Sequence, residues 1–255
     1  MSNVQVHFVG AGPGDPDLIT VKGRRLLSEA DVVVYAGSLV NPALLAVTGP
    51  DCEVHNSASM TLAEVIDVMQ KAVSEGKQVV RLHTGDPSIY GAIQEQIDQL
   101  NQLGIQWEVV PGVSSFLAAA AALGQEYTLP GISQTVIITR MEGRTPVPDK
   151  EKIRSLAEHQ TTMCIFLSVH MFGELVNELT AGGYSPDTPV AVVEKASWPE
   201  QRIFRGTLTT IAEQLSAAGV NRTAMVIVGK VLDGDYEQSR LYAPEFGHMF
   251  REAKS

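Results

Sequence analysis

Short β-branched runs alternate along the chain with longer stretches whose apolar residues recur at helical spacing. Residues 4–9 read as a strand and 21–30 as a helix with Leu26 and Leu27 turned inward. Within 31–35, Val32, Val33 and Val34 follow one another, a pattern that suits a strand buried on both faces. Thr61 with Glu64 three positions on is a capping box. It opens a helix that carries Leu62, Val65, Ile66 and Met69 on one side. Residues 78–82 are then a strand, 91–103 a helix and 107–110 a strand, and Ser114 or Ser115 caps an alanine-rich helix to Leu123.

The pattern breaks between Gly124 and Ser133, where Pro130-Gly131 is a turn signal, and then resumes. Strands are expected at 134–139, 162–167, 190–194, 202–207 and 224–228, and helices at 150–157, 171–179 and 211–218. Gly182-Gly183 supplies a C-terminal stop for the second of these helices. No fixed-period repeat is present. Alternation of this kind predicts an α/β protein of two domains with mostly parallel sheets. The expected division is 1–124, a linker at 125–132, 133–241, and a tail at 242–255. Ligands of such folds bind at the carboxyl ends of the strands or between domains.

Composition narrows the choice of function. The 255 residues carry 19 Lys and Arg against 29 Asp and Glu, a net charge of −10, and 44% are hydrophobic. Global disorder is excluded, and a general nucleic-acid binder is disfavoured for want of positive charge. A small anionic ligand is not, because a cleft can be basic on an acidic protein. The longest wholly apolar run, 116–123, falls far short of the roughly 20 residues that span a bilayer. No basic residue precedes the first apolar stretch after Met1-Ser2-Asn3-Val4, so no secretory signal is read and a cytoplasmic protein is expected. Cys52 and Cys164 stand far apart and outside any Cys-x-x-Cys pair, which fits two buried thiols better than a zinc site or a disulfide framework.

Three loops, each between a strand and a helix, are candidates for chemistry. Gly10-Ala11-Gly12-Pro13-Gly14-Asp15-Pro16 looks like a dinucleotide loop, but Asp15 occupies the third-glycine position. Its carboxylate opposes a pyrophosphate, and Pro13 lacks the amide a phosphate cradle uses. In the stretch from Arg81 to Gly91, Gly85 permits unusual backbone angles and Asp86 suits a base, a ligand to an amino group, or a simple capping carboxylate. His83 is either a ligand-facing donor or a satisfied strand-end histidine. No second histidine stands at metal-ligand spacing, so no metal site is expected. In Pro111-Gly112-Val113-Ser114-Ser115 the serines suit a helix cap, and neither lies in a nucleophile elbow.

In their order, Gly12-Pro13-Gly14-Asp15-Pro16-Asp17-Leu18-Ile19-Thr20, Gly85-Asp86-Pro87 and Pro111-Gly112-Val113-Ser114-Ser115 resemble the tetrapyrrole methylases, over about residues 6–228. Residues 139–148 and the closing stretch 242–250 look most like the precorrin-4 C-11 methyltransferases of cobalamin synthesis. The resemblance implies two α/β domains with S-adenosylmethionine in the cleft between them, and a homodimer. It places Pro13, Thr84, Gly85, Asp86, Ile89, Tyr90, Ser114 and Ser115 at the cofactor from the first domain, and Leu167, Ala196 and Met225 from the second. Leu167 and Met225 lie at strand ends, where plain core packing is the competing reading.

S-adenosylmethionine has no phosphate, so a glycine-rich site without a dinucleotide fingerprint suits it. Methyl transfer neutralises the sulfonium, and in-line positioning of the nucleophilic carbon supplies most of the rate. The ring carbon of a precorrin is activated by its own conjugated nitrogens, leaving Asp86 to accept a proton or orient the macrocycle. Arg140, Arg144 and Lys195 are candidates for the acetate and propionate carboxylates of such a substrate, with a solvated connector as the alternative for the two arginines. The competing functions are a sibling methyltransferase acting on another precorrin or on uroporphyrinogen III, a nicotinamide-dependent oxidoreductase, and a non-enzymatic nucleoside-binding module.

Overall fold

The structure is a computed structural model, which describes residues 4–37, 39–234, 236–239, 241 and 243–253. Met1, Ser2 and Asn3 of the leader reading and Tyr242 of the closing stretch lie outside the described residues. The chain divides into two compact units. One comprises Met1–Ala119 with Lys195–Gln201, the other Ala120–Glu194 with Arg202–Ser255. This division places residues 125–132 inside the second unit.

The first unit holds five strands, β1 (Val6–Gly10), β2 (Val32–Tyr35), β3 (Glu53–Asn56), β4 (Val79–His83) and β5 (Trp107–Val110), in the order β3-β2-β4-β1-β5. Every pairing is parallel, so all five carboxyl ends lie on one edge of the sheet. The helices are α1 (Val21–Ser28), α2 (Leu62–Ser74), α3 (Gln94–Gln102) and α4 (Ser115–Leu123). Successive strand residues serve opposite faces, as the pleat requires. Val6, Phe8, Val32 and Val34 pack with Val65, Ile66 and Met69 of α2 and with Ile97 and Leu100 of α3. Val9, Val33 and Leu82 pack with Leu27 of α1 and Leu44. The central strands are buried on both faces for this reason.

The predicted capping box forms at the start of α2. Glu64 N donates to Thr61 Oγ1 at 3.3 Å, and the Glu64 carboxylate accepts from Thr61 N at 2.7 Å. Helix α3 starts three residues later than its apolar spacing predicts, because Tyr90 and Ala92 adopt positive φ of 56° and 49°. Strand β3 was not anticipated. Glu53, Val54 and Asn56 are exposed at the sheet edge, so no apolar alternation marks it, and Lys77 Nζ pairs with Glu53 at 2.6 Å.

The second unit holds β6 (Val136–Arg140), β7 (Thr162–Phe166), β8 (Pro189–Glu194), β9 (Arg202–Thr207) and β10 (Ala224–Val228), with α5 (Ile153–Ala157), α6 (Phe172–Ala181) and α7 (Ile211–Ala217). The strand order is β6-β7-β10-β8-β9. Here the expectation of a mostly parallel sheet is corrected, since only β6 and β7 run parallel while β10 is antiparallel to β7 and β8, and β8 to β9. The connection Lys195–Gln201 is too short for the crossover of about a dozen residues that a parallel pair demands. One apolar cluster joins Met163, Ile165, Val192 and Val226 to Leu175, Leu179 and Ile211 of the helices.

Candidate functional site

Three neighbouring strands of the first sheet, β4, β1 and β5, end where backbone meets backbone. A Cβ on Gly10 would come within 2.6 Å of Gly112 Cα, and one on Gly112 within 2.1 Å of Gly85 O. No other residue fits at these two positions without moving a strand end. Gly85, at φ 60°, donates its amide to Gly12 O at 2.8 Å. Asp86 ties the arrangement together. Its Oδ1 accepts from Ser88 N and its Oδ2 from Gly112 N, both at 2.8 Å. The carboxylate thus joins the β4 and β5 loops, and two of its roughly four acceptor positions remain for another partner.

The glycine loop after β1 is clamped by Lys195–Gln201. Trp198 Nε1 donates to Pro13 O at 3.0 Å, Asp15 N donates to Ser197 Oγ at 3.0 Å, and the indole lies where a Cβ on Gly14 would stand. Asn41 Nδ2 donates to Gly14 O at 2.7 Å. Asp15, the residue in place of the third glycine, accepts from Asp17 N at 2.9 Å and caps the short 3-10 turn Pro16–Leu18.

The structure therefore brings Pro13, Gly85, Asp86, Ser114 and Ser115 to one edge of the first sheet, with Ala196 buried in the clamping segment. Thr84, Ile89 and Tyr90 line a cavity of about 290 Å³ in the same unit. In the second unit Leu167 is 55% exposed at φ 55°, which does not match core packing, whereas Met225 is 3% exposed within β10 and does match it. The three basic candidates differ in what already occupies them. The Arg140 guanidinium donates to the carbonyls of Met141, Thr145 and Pro146 and so holds its own connector. Lys195, at φ 48°, pairs with Glu200 at 3.8 Å and lies 5.9 Å from the centre of the Trp198 ring. Arg144 is exposed, with no hydrogen bond or ion pair among the described residues. Cys164 is buried, which raises its thiol to about 12, while Cys52 is only half-buried.

Trp198 and Arg81 are the residues that the sequence reading missed. Arg81 lies in the cavity wall and is 6% exposed. Its signal was a charged residue inside the apolar strand Val79–His83. Its Nε donates to Gln96 Oε1 at 3.0 Å and its Nη1 to Val34 O at 3.1 Å. Burial lowers it to about 10. His83, 4% exposed, packs against Phe8, and its Nε2 has no hydrogen-bond partner among the described residues.

Burial first, and the Arg81 charge second, lower His83 to about 3 from an ordinary 6.5. Between those values the unfolded chain binds the proton and the folded chain does not, so stability falls as pH drops below 6.5. The expected slope from His83 is up to about 1.4 kcal/mol per pH unit. Urea denaturation at pH 7, 6 and 5 measures it, and His83→Leu should flatten the dependence. An unchanged slope in that variant would show that His83 does not carry the titration.

Comparison with known proteins agrees with this architecture. The family model of the Tetrapyrrole (Corrin/Porphyrin) Methylases matches residues 5–212. The chain is 58% identical to the cobalt-precorrin-4 C(11)-methyltransferase of Methanocaldococcus jannaschii, over 99% of this chain and 98% of that protein. The X-ray structure of a cobalt precorrin-4 methyltransferase of cobalamin biosynthesis superposes with a TM-score of 0.88 at 49% identity, covering 90% of this chain and 96% of that one. Uroporphyrin-III C-methyl transferase from Thermus thermophilus, complexed with S-adenyl homocysteine, superposes with a TM-score of 0.76 at 32% identity, covering 90% and 99%. With most of its length matched by the family model and the same two-sheet fold, the chain belongs to the tetrapyrrole methylases.

Proposed function

We propose that this protein transfers a methyl group from S-adenosylmethionine to C-11 of precorrin-4, metal-free or bearing cobalt, in cobalamin biosynthesis. The observation that carries the reading is the 58% identity, over nearly the whole of both chains, to a cobalt-precorrin-4 C(11)-methyltransferase. The residues present fit the cofactor. The loop after β1 offers no pyrophosphate cradle, since Pro13 has no amide proton and the Asp15 carboxylate stands at the loop's end. The adjoining cavity mixes apolar wall with hydroxyl and imidazole groups, as a nucleoside bearing an amino-acid head requires. When bound, S-adenosylmethionine supplies an electrophilic methyl group on a cationic sulfonium.

Thr84, Ile89 and Tyr90 bind and orient from the β4 loop, with Ser114 and Ser115 near Gly85 at the start of α4. Pro13 and Gly85 stand at the neighbouring strand ends of the same unit, with Ala196 in the segment that clamps the β1 loop. Asp86 keeps the β4 and β5 loops in register, and its free lone pairs accept a proton from the substrate or orient the macrocycle. Arg144, the unoccupied cation of the three candidates, receives a substrate carboxylate, while Arg140 and Lys195 shape the loops that present it. A homodimer in the cytoplasm is proposed on the same resemblance, in keeping with two free cysteines. Among the described residues no helix is long and apolar enough to cross a membrane.

Incubation with precorrin-4, metal-free and cobalt-bound, and methyl-labelled cofactor should place the label at C-11. A label at another carbon would assign the chain to a sibling activity, and no transfer would remove the reading. In the same assay Asp86→Asn should lower kcat at least tenfold at saturating cofactor, while cofactor affinity changes much less. Equal turnover would remove Asp86 from the chemistry. Arg144→Ala should raise the KM for the tetrapyrrole several-fold, and an unchanged KM would exclude contact by that residue.

A further inference from the structure

The β4 strand delivers a positive charge into the protein with nothing negative to meet it. Arg81 is buried, and both of its hydrogen-bond acceptors, Val34 O and Gln96 Oε1, are neutral. It makes no ion pair among the described residues. A guanidinium carries five N–H donors, so three remain unused here. Buried charges are ordinarily paired, because an uncompensated one loses several kcal/mol of solvation. Two residues on, the His83 Nε2 is also buried and has no hydrogen-bond partner among the described residues. Both side chains line the same cavity of about 290 Å³.

The lining explains what such a cavity takes. Leu39, Met60 and Val65 make its apolar part, which strengthens any charge interaction inside. Glu95 is its one acidic residue among the described residues, and it is exposed and forms no ion pair with Arg81. Burial and the neighbouring Arg81 keep His83 neutral at pH 7, so that as the Nε2–H tautomer it is a donor without a competing charge. A planar fork of donors beside a neutral imidazole, on a cavity with a partly apolar lining, matches a planar anion with two oxygens.

We propose that Arg81 and His83 form a carboxylate-receiving subsite within the first unit. The proposal rests on the methyltransferase reading, which brings two carboxylate sources to the protein. One is an acetate or propionate arm of the tetrapyrrole, and the other is the amino-acid head of the cofactor. Either supplies the charge that Arg81 lacks.

The experiment compares wild type, Arg81→Met, Arg81→Lys and His83→Leu, each checked for folding by thermal melting. Two readouts separate the sources. The first is the KM for precorrin-4, and the second is calorimetric affinity for S-adenosylhomocysteine and for 5′-methylthioadenosine, which lacks the carboxylate. A tetrapyrrole arm predicts a KM at least tenfold higher in Arg81→Met, with kcat within threefold and S-adenosylhomocysteine affinity within twofold of wild type. The cofactor head predicts at least a tenfold loss for S-adenosylhomocysteine and none for 5′-methylthioadenosine. In both cases His83→Leu shows the same selectivity at smaller size, and Arg81→Lys recovers part of the loss. Unchanged KM and affinities in folded variants would overturn the subsite, as would equal losses for the two nucleosides. If Arg81→Met does not fold, His83→Leu decides by the same criteria. Wild-type turnover tests the methyltransferase reading separately, and its absence would remove that reading and the subsite together.

Discussion

The contact on which the site depends is one between main chains. At the ends of β4, β1 and β5 three backbones approach so closely that Gly10 and Gly112 can carry no Cβ, and the Asp86 carboxylate bonds across the gap to the Gly112 amide. Everything nearby adjusts to this. Gly85 turns to a positive φ so that its amide meets Gly12 O. The chain leaving it takes up unfavourable angles at Tyr90 and Ala92 before α3 begins. Such angles cost about 1–3 kcal/mol each and persist only where the surroundings impose them. Here the imposing element is the Asp86 loop, which places Thr84, Ile89 and Tyr90 around the cavity rather than in a helix. The loop after β1 is held from its other side by Trp198, whose indole occupies the space that a side chain on Gly14 would need.

Much of this was legible in the chain, for identifiable reasons. Parallel strands buried on both faces announce themselves as unbroken apolar runs, and Val32-Val33-Val34 does divide between the two faces of the first sheet. Motifs rich in glycine and proline mark strand ends because few other residues tolerate the backbone there. What was hidden lacked a local signature. The edge strand β3 is polar because it is exposed, and the antiparallel pairings of the second sheet depend on connection length and neighbours rather than on apolar pattern. The clamp by Trp198 joins residues far apart in sequence, so no window of sequence contains it. The two strand-end residues Leu167 and Met225 looked alike in sequence and part company in structure, because Leu167 follows its strand at positive φ while Met225 lies inside one.

The charge distribution completes the picture. A net charge of −10 describes the surface, where long-range repulsion of anions is screened within about 8–10 Å in ordinary salt. It says little about an interior wall. Arg81 and His83 stand two positions apart on β4, a spacing that puts them on the same side of a strand, and that side carries the cavity. Leu82 between them faces the opposite core with Val9 and Val33. The alternation that builds an ordinary hydrophobic layer on one face therefore delivers two hydrogen-bond donors to the other. Because Arg81 is fixed to Val34 O and Gln96, its fork is oriented before any ligand arrives, and little side-chain entropy remains to be lost on binding. An acidic protein can thus recognise an anion with a buried cation that its own carboxylates leave unpaired, as Arg81 is among the described residues even with Glu95 on the same cavity.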